Sequence, residues 1–235
     1  MSDLSVIIPV LNEERYVGSL LSDVAAQTRK ADEVFVVDAG CADGTVAVAR
    51  SFPFVKLLHA GRPVARGRNA GGRVASGDVL IFLDADARLP ATFFEEFLSD
   101  FERRRLDIAC PLYFPHSSTH VIEGFHVLFN LLTRTFQHLL PSGAGTCIAI
   151  KRDVFRDSDG FDPALKFDDI ELIRRLSKGR RFGIVEERVF LSDRRYTEYG
   201  VARTMLQYSL MALLFSLGKF AWANYIDYEF GAHRR

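Results

Sequence analysis

The chain has 235 residues, of which 48% are hydrophobic, enough for one sizeable core with a small appendage. Thirty Lys and Arg residues balance thirty Asp and Glu residues, so no overall charge attracts the chain to nucleic acid or to an anionic membrane. Cys41, Cys110 and Cys147 are widely spaced and form no C-x-x-C pair, which argues against a disulfide framework and a zinc site. We therefore expect a reducing, cytoplasmic environment and a local site for any anionic ligand.

The first hundred residues alternate β-rich runs with helical patterns, which predicts an α/β fold whose mostly parallel central sheet is flanked by helices. The first run reads as a strand and not as a signal peptide, because no basic segment precedes it. The predicted strands are Leu4 to Ile8, Glu33 to Val37, Val55 to Leu58 and Val79 to Leu83. The predicted helices between them are Glu14 to Gln27 and Thr45 to Ser51, with Asn12 or Asp43 as a cap.

The second half has longer helical patterns. A helix is predicted after Pro90, Ile108 to Leu112 reads as a strand, and Val121 to Leu140 forms a second helix. That second helix carries one apolar face, made of Phe125, Leu128, Phe129, Leu132, Phe136 and Leu139. The uncharged run 208–218 is shorter than the roughly 20 residues that cross a bilayer, so it either packs on the core or lies on a membrane surface.

Two carboxylates follow the apolar strand that ends at Leu83. Asp84 and Asp86 are one residue apart, so an extended chain sends both to the same side, at the strand edge where open α/β sheets bind ligands. Burying both would be costly without a cation, and a divalent ion between them and a diphosphate would remove the repulsion. Alone, this pattern is weak, because acidic residues also begin loops and cap helices.

A second acid, Asp38, ends the strand before it and opens a glycine-containing turn that runs to Thr45. This turn has a plainer interpretation, a strand-to-helix connection in which Asp43 is the cap. Further along, Asp168, Asp169 and Glu171 begin a helical pattern, and composition alone favours a helix-capping role for them. The glycines of 141–146 would let backbone amides approach a sugar closely, or they form a simple turn.

Taken in order, these segments resemble glycosyltransferase family 2, the inverting enzymes with a GT-A nucleotide-diphospho-sugar transferase fold. The resemblance covers roughly residues 4–190 and is weaker in Ser192 to Tyr196. It departs from the family pattern at Asp168, where glutamate is usual, and at Ala39, where a second aspartate is frequent. The matching segments are Val6 to Glu14, Asp38 to Thr45, Arg68 to Gly71, Asp84 to Asp86 and Phe167 to Leu172.

The resemblance implies three groups of site residues. Asp169 is the expected general base, and Asp86 with Asp84 is expected to bind Mn²⁺ or Mg²⁺. The expected nucleotide-binding residues are Pro9, Leu11, Asn12, Glu13, Asp38, Arg68, Asp84 and Ala85, with Arg194 and Arg195 on the diphosphate.

We therefore expect a metal-dependent hexosyltransferase that uses a UDP- or GDP-sugar and a glycan or lipid-linked acceptor. The alternative is a noncatalytic nucleotide-sugar or glycan-binding protein of the same fold, which fold alone does not exclude. The expected units are a catalytic domain of residues 1–195 and a C-terminal helical appendage of residues 196–235, packed on the domain or lying at a membrane surface. A cytoplasmic location is expected, at the inner face of the cytoplasmic membrane if the appendage contacts lipid.

Overall fold

The computed structural model describes residues 2–116 and 119–226. Its strands are β1 Leu4–Val10, β2 Glu33–Asp38, β3 Val55–His59, β4 Val79–Leu83, β5 Ile108–Pro115, β6 Cys147–Lys151 and β7 Phe182–Leu191. Its α-helices are α1 Val17–Ala26, α2 Thr45–Arg50, α3 Val64–Val74, α4 Phe93–Arg103, α5 His120–Phe136, α6 Arg152–Arg156, α7 Asp168–Leu176, α8 Arg194–Tyr199 and α9 Val201–Ser216. A 3₁₀ helix covers Phe220–Tyr225.

These strands form one sheet in the order β3-β2-β1-β4-β6-β5-β7. Strands β1 to β4 are parallel, and β6 runs antiparallel to both β4 and β5. The chain leaves β1 toward β2 and β3, then returns to place β4 on the other side of β1. The direction of the connections therefore reverses between β1 and β4, and open α/β sheets bind ligands beyond the carboxyl ends of the strands at such a point.

The core lies on both faces of the central strands. Every residue of β1 and β4 is buried, as expected for parallel strands that helices cover on both sides. Helix α3 approaches β1 closely because Gly71 has no side chain: a Cβ there would lie 2.5 Å from Ile7 Cγ2. This close packing places Arg68, on α3, near the carboxyl end of the sheet.

The four strands predicted in the first hundred residues are present, and the first extends two residues further than predicted. Helix α1 begins later than predicted, because the Glu13 carbonyl accepts hydrogen bonds from the N–H groups of Tyr16 and Val17 in a preceding turn. Asn12 does not cap that helix; its Oδ1 accepts the Ala42 N–H instead, at 2.8 Å. Asp43 does accept the N–H of Thr45, the first residue of α2.

The predicted apolar face of α5 packs on the core only in part, through Phe129. Its members Leu128, Leu132 and Phe136 are exposed, and the helix ends at Phe136. The buried positions are instead Ile122, His126 and Asn130, spaced four residues apart. Strand β6 pairs only with the start of β5, so the backbone of Tyr113 has no partner in β6. The buried Asn130 amide takes that place and exchanges two hydrogen bonds with the Tyr113 backbone, at 3.0 and 2.9 Å.

Helix α9 includes most of the run 208–218, and the apolar side chains of this run are partly buried and partly exposed. Met211 and Phe215 are buried with Phe167 and Ala223 in a small apolar cluster that is separate from the main core. Leu210, Leu213 and Leu217 are exposed. Among the described residues, no helix is long and apolar enough to cross a bilayer.

Candidate active site

The two carboxylates after β4 lie beside the loop 141–146. Because β6 is antiparallel to β4, the residues before β6 return to the carboxyl end of β4, and the Asp84 N–H donates to the Thr146 carbonyl at 3.0 Å. The Tyr113 hydroxyl contacts this loop and the strand after it: its oxygen lies 2.9 Å from the Ala144 carbonyl oxygen and 2.8 Å from that of Cys147. The glycines of the loop are therefore part of the site wall.

Arg68 joins the carboxylates after β4 to the acids of α7. Its Nη2 donates to Asp84 Oδ1 and its Nη1 donates to Asp168 Oδ1, each at 2.8 Å. The Arg68 and Asp168 side chains are each 6% exposed, so this is a buried ion pair. Such a pair depends on good geometry to offset the loss of hydration, and it fixes the position of both carboxylates. One guanidinium thus sets the spacing between two segments that are 84 residues apart in the chain.

Asp169 lies next to this pair and against the loop 141–146. A Cβ on Gly145 would lie 2.6 Å from Asp169 Oδ2, so glycine is required for the approach. Asp169 Oδ1 is buried and, within the described part of the chain, accepts no hydrogen bond. Burial raises the pKa of Asp169, against the opposing effect of the Arg68 charge. A carboxylate of raised pKa that keeps one oxygen without a hydrogen-bond partner has the properties of a proton acceptor.

The helix-capping interpretation of the α7 acids does not fit their contacts. The N-cap of α7 is Phe167, and no side-chain hydrogen bond caps this helix. Asp168 pairs with Arg68, and burial raises the pKa of Asp168 although the Arg68 charge lowers it. Their carboxylates therefore face the carboxyl end of the sheet.

A second arginine, Arg194 at the start of α8, contacts two acids that follow different strands. Its Nη1 donates to Glu13 Oε2 at 3.0 Å, and its Nη2 lies 3.1 Å from Asp86 Oδ2. Burial raises the pKa of Glu13 to about 7, although Arg194 opposes this effect. Burial likewise raises the pKa of Asp86. Glu13 follows β1 and Asp86 follows β4, so Arg194 connects the segments at the carboxyl ends of these two strands.

The loops that follow β1 and β2 are hydrogen-bonded to each other. Asn12 has a positive φ of 56° and accepts from the second loop, and the Glu13 N–H donates to Thr45 Oγ1 at 2.8 Å. Asp38 Oδ1 accepts the N–H groups of Gly40 and Cys41. Despite partial burial, these N–H groups hold the pKa of Asp38 at about 2. The two loops form a rigid wall beside the acidic groups.

With this geometry in place, a family model decides the assignment. The model for "Glycosyl transferase family 2" matches residues 5–158, well over half of the chain. The chain belongs to glycosyl transferase family 2. It is 29% identical over 184 residues to an uncharacterized glycosyltransferase of Haemophilus influenzae, an alignment that covers 74% of this chain and 61% of that protein. The chain thus spans less than two thirds of this curated relative.

Solved structures show the same fold. Residues 1–349 of TarS of S. aureus, in complex with UDP, superpose with a TM-score of 0.67 at 19% identity, over 81% of this chain and 60% of that chain. The mannosyltransferase PcManGT of Pyrobaculum calidifontis, in complex with GDP-Man and Mn²⁺, has a TM-score of 0.67 at 22% identity, over 79% of this chain and 55% of PcManGT. The architecture of this family 2 member is the GT-A fold that the sequence predicts.

The carboxylates after β4 fit a divalent cation. Asp84 and Asp86 offer the hard oxygen ligands that Mg²⁺ and Mn²⁺ prefer, and a cationic group, Arg194, already contacts Asp86. Within residues 2–116 and 119–226, no group of three or more His, Cys, Asp or Glu side chains is placed to hold a metal by itself. Such a cation would therefore complete its coordination with substrate phosphate and water, as Mg²⁺ commonly does.

The remaining predicted residues of this family 2 site have different surroundings. Pro9 lies inside β1 and is buried, and Ala85 is buried between the two carboxylates. Leu11 is half-buried at the start of the loop after β1, and Arg195 follows Arg194 at the edge of the site. Tyr113 was not predicted: it reads as one more aromatic residue in a strand, and no local pattern marks its contact with the loop before β6.

Proposed function

We propose that this chain transfers a sugar from a UDP- or GDP-sugar to an acceptor hydroxyl, with inversion at the anomeric carbon and with a divalent cation. The observation that carries the proposal is the convergence at one sheet edge of Asp84, Asp86 and Asp169, whose buried Oδ1 accepts no hydrogen bond from the described residues. The two solved structures support it, since TarS is in complex with UDP and PcManGT with GDP-Man and Mn²⁺.

The leaving diphosphate would be held at the carboxyl ends of β1 and β4. Asp86 and Asp84 would hold the cation, and Arg194 and Arg195 would bind diphosphate oxygens through charge-assisted hydrogen bonds. When bound there, a divalent cation supplies Lewis-acid stabilisation of the leaving group. The raised pKa of Asp86, which burial causes, indicates that its carboxylate has a strong need for a positive partner.

The nucleoside would lie on the loops after β1 and β2. The proposed contacts come from the opening loop, the turn at Asp38, and the residues that flank the metal-binding acids: Pro9, Leu11, Asn12, Glu13, Asp38, Arg68, Asp84 and Ala85. The Asp38 carboxylate is held ionised by backbone N–H groups, so it is available as a hydrogen-bond acceptor at neutral pH. The hydrogen bonds between the two loops keep this wall preorganised for the nucleoside.

The acceptor would approach from the side of α7. Asp169 would take the proton of the acceptor hydroxyl as its oxygen attacks the anomeric carbon from the face opposite the diphosphate. Arg68 would keep Asp168 and Asp84 in place around it without pairing fully with Asp169. The glycine at 145 leaves room for the carboxylate beside the loop.

We also propose that the acceptor is a glycan or a lipid-linked molecule reached at a membrane surface. Exposed apolar side chains cover two helices that contact each other through Phe125 and Tyr208. We call these exposed side chains the α5–α9 apolar surface: Val127, Leu128, Leu131, Leu132, Phe136, Leu206, Leu210, Leu213 and Leu217. The segment 201–226 contains Arg203 and Lys219 but no acid, and Trp222 near its end is exposed, which suits a lipid interface.

The test of the proposed reaction is a thermal titration of the chain with UDP and with GDP, each with and without Mn²⁺. A ligand at 100 times its dissociation constant stabilises the native state by about 2.7 kcal/mol. This corresponds to about 5–10 °C for a chain of this size. We expect one nucleotide to produce this shift only with metal, and the Asp86→Asn variant to lose it while Asp157→Asn, an exposed acid outside the site, keeps it.

Donor turnover then separates an enzyme from a binding protein. We expect the sugar nucleotide of the stabilising base to be consumed, with release of the nucleoside diphosphate. A shift without any turnover, across UDP- and GDP-sugars and a panel of glycan and lipid-linked acceptors, would favour the noncatalytic relative. No shift with either nucleotide would contradict the proposed donor site.

A further inference from the structure

Arg194 contacts one of the two carboxylate oxygens of Asp86, a proposed metal ligand. Its Nη2 lies 3.1 Å from Asp86 Oδ2, and its Nη1 is 3.0 Å from Glu13 Oε2 and 3.3 Å from Glu13 Oε1. The guanidinium also stands over the Tyr16 ring, 5.2 Å from its centroid. The side chains of Arg194, Glu13 and Asp86 are only 17%, 10% and 18% exposed. The charge of Arg194 is therefore directed at two acids with little screening by water.

This contact explains how two acids can share the edge of the sheet. Two carboxylates that converge in a poorly hydrated site repel each other, and each needs a positive partner. Arg194 supplies that partner from 181 residues away, through a six-residue helix that is followed by Gly200 with a positive φ of 84°. The guanidinium of Arg194 therefore links the C-terminal helices to the loop after β1.

A divalent cation and Arg194 compete for the same oxygen. A cation on Asp86 would take the lone pairs that now accept from Arg194, and its charge would repel the guanidinium at such short range. We propose that Arg194 is a resident counter-cation of Glu13 and Asp86, which a divalent cation displaces so that the guanidinium is released toward the incoming diphosphate. This inference rests on the proposed donor site and adds a charge exchange to it.

The exchange has a consequence for metal binding without nucleotide. If Arg194 pairs with Asp86 in nine of ten molecules, the apparent dissociation constant of a cation is raised about tenfold, because only the unpaired fraction binds. Nucleotide would remove this cost by giving the guanidinium a diphosphate to pair with. Arg194 would then be a positioning residue that couples cation binding to donor binding.

The test is a titration with Mn²⁺ followed by electron paramagnetic resonance, in the absence of nucleotide. We expect Arg194→Gln to bind Mn²⁺ about tenfold more tightly than the unaltered chain, and Arg194→Lys to lie between them. The control is Arg134→Gln, which removes the same charge from an exposed pair with Glu186 and should leave Mn²⁺ affinity unchanged. Structural damage would weaken Mn²⁺ binding, so tighter binding identifies competition. Equal or weaker binding by a folded Arg194→Gln chain would overturn the inference.

Hydrogen exchange on the unaltered chain tests the same exchange without a variant. Mn²⁺ alone should speed exchange of the amides of α8, because its link to Glu13 and Asp86 is broken, while the amides of α6 stay unchanged. Unchanged or slower exchange in α8 at saturating Mn²⁺ would contradict the displacement. A chain that transfers sugar but fails both tests would keep the proposed function and lose only the role of Arg194 as a counter-cation.

Discussion

Arg68 determines how the acids of the site divide their roles. Its two nitrogen atoms pair with Asp84 and Asp168, and the second carboxylate of α7, Asp169, is left with a buried oxygen that accepts no hydrogen bond from the described residues. A hydrogen bond from an arginine makes a carboxylate a weaker base, because it stabilises the ionised form. Each of the two adjacent aspartates keeps one buried oxygen without a hydrogen-bond partner among the described residues, and the bond from Arg68 goes to Asp168. We therefore propose the structural role for Asp168 and the chemical role for Asp169.

Replacing Asp169 by Asn should lower kcat for sugar transfer by about 100-fold or more, the range that general bases contribute. The dissociation constant of the donor should change little, because the proposed role of Asp169 is toward the acceptor. Because burial raises the pKa of Asp169 above its ordinary 3.8, kcat of the unaltered chain should rise with pH through that higher value. Steady-state kinetics from pH 4 upward would check both. Asp157→Asn is the control, and unchanged kcat in Asp169→Asn would remove this residue from the reaction.

Replacing Gly145 by Ala should abolish transfer while the fold is retained. The added Cβ would lie 2.6 Å from Asp169 Oδ2 and 3.1 Å from Arg68 Nη2, so the carboxylate must move. Overpacking of this kind costs about 1–3 kcal/mol of stability. The matched control is Gly124→Ala on exposed α5, where nothing lies within 4 Å, and which should stabilise by roughly 0.5–1 kcal/mol. Full activity in Gly145→Ala would show that the loop does not confine Asp169.

At the scale of elements, α5 links the sheet to the C-terminal helices. Its buried Asn130 completes the hydrogen bonding of β5, and its buried His126 lies 3.0 Å from the Tyr196 hydroxyl in α8. Helix α8 carries Arg194, so the packing of His126 against Tyr196 helps to place the arginine that contacts Glu13 and Asp86. His126 and Asn130 of α5 thus connect α8, which carries Arg194, to the sheet.

Acid should weaken this connection. Burial lowers the pKa of His126 below its ordinary 6.5, so the unfolded chain binds its proton first. Stability contributed by neutral His126 is therefore fully present above that value and is lost as pH falls toward the folded pKa. His126→Asn should show a smaller fall in melting temperature between pH 7 and pH 5 than the unaltered chain. Exposed His138→Asn is the control, and an equal fall in His126→Asn would contradict the assignment.

At the scale of the whole molecule, charge and apolar surface act differently. The formal net charge is zero, so long-range attraction does not select a partner. The α5–α9 apolar surface is a local feature, and apolar area buried in lipid is the term that remains when salt screens charge. The proposed membrane contact should therefore depend more on the apolar area buried in lipid than on the charge of the lipid.

Cosedimentation with neutral phosphatidylcholine vesicles should therefore persist in about 0.5 M NaCl. The triple variant Leu206→Ser, Leu210→Ser, Leu213→Ser should lose it, while its melting temperature stays unchanged because these side chains are exposed and buried Met211 and Phe215 remain. A control that replaces Phe54 and Val74 by Ser removes exposed apolar side chains outside this surface. Binding that survives the triple variant, or no binding by the unaltered chain, would contradict a lipid contact.

The first four strands, and the acids at the ends of β2 and β4, were predictable from the sequence. Buried parallel strands are short continuous apolar runs, and an acid directly after such a run must lie at the carboxyl edge of the sheet. Local spacing was therefore enough to place Asp38, Asp84 and Asp86 at one edge of an α/β sheet, and the resemblance to glycosyltransferase family 2 added the GT-A fold. The beginning of α7 at Asp168 was equally visible, because acids are frequent in a first helical turn.

The partners of those acids were decided only by the tertiary structure. Arg68 meets Asp168 across 100 residues and Arg194 meets Glu13 across 181, and no local pattern records which distant cation neutralises a carboxylate. The same limit explains α5, where periodicity revealed an apolar face but not that Asn130, paired with an open stretch of β5, would take the buried side. Hydrophobic period reports which residues share a face; the fold determines what covers that face.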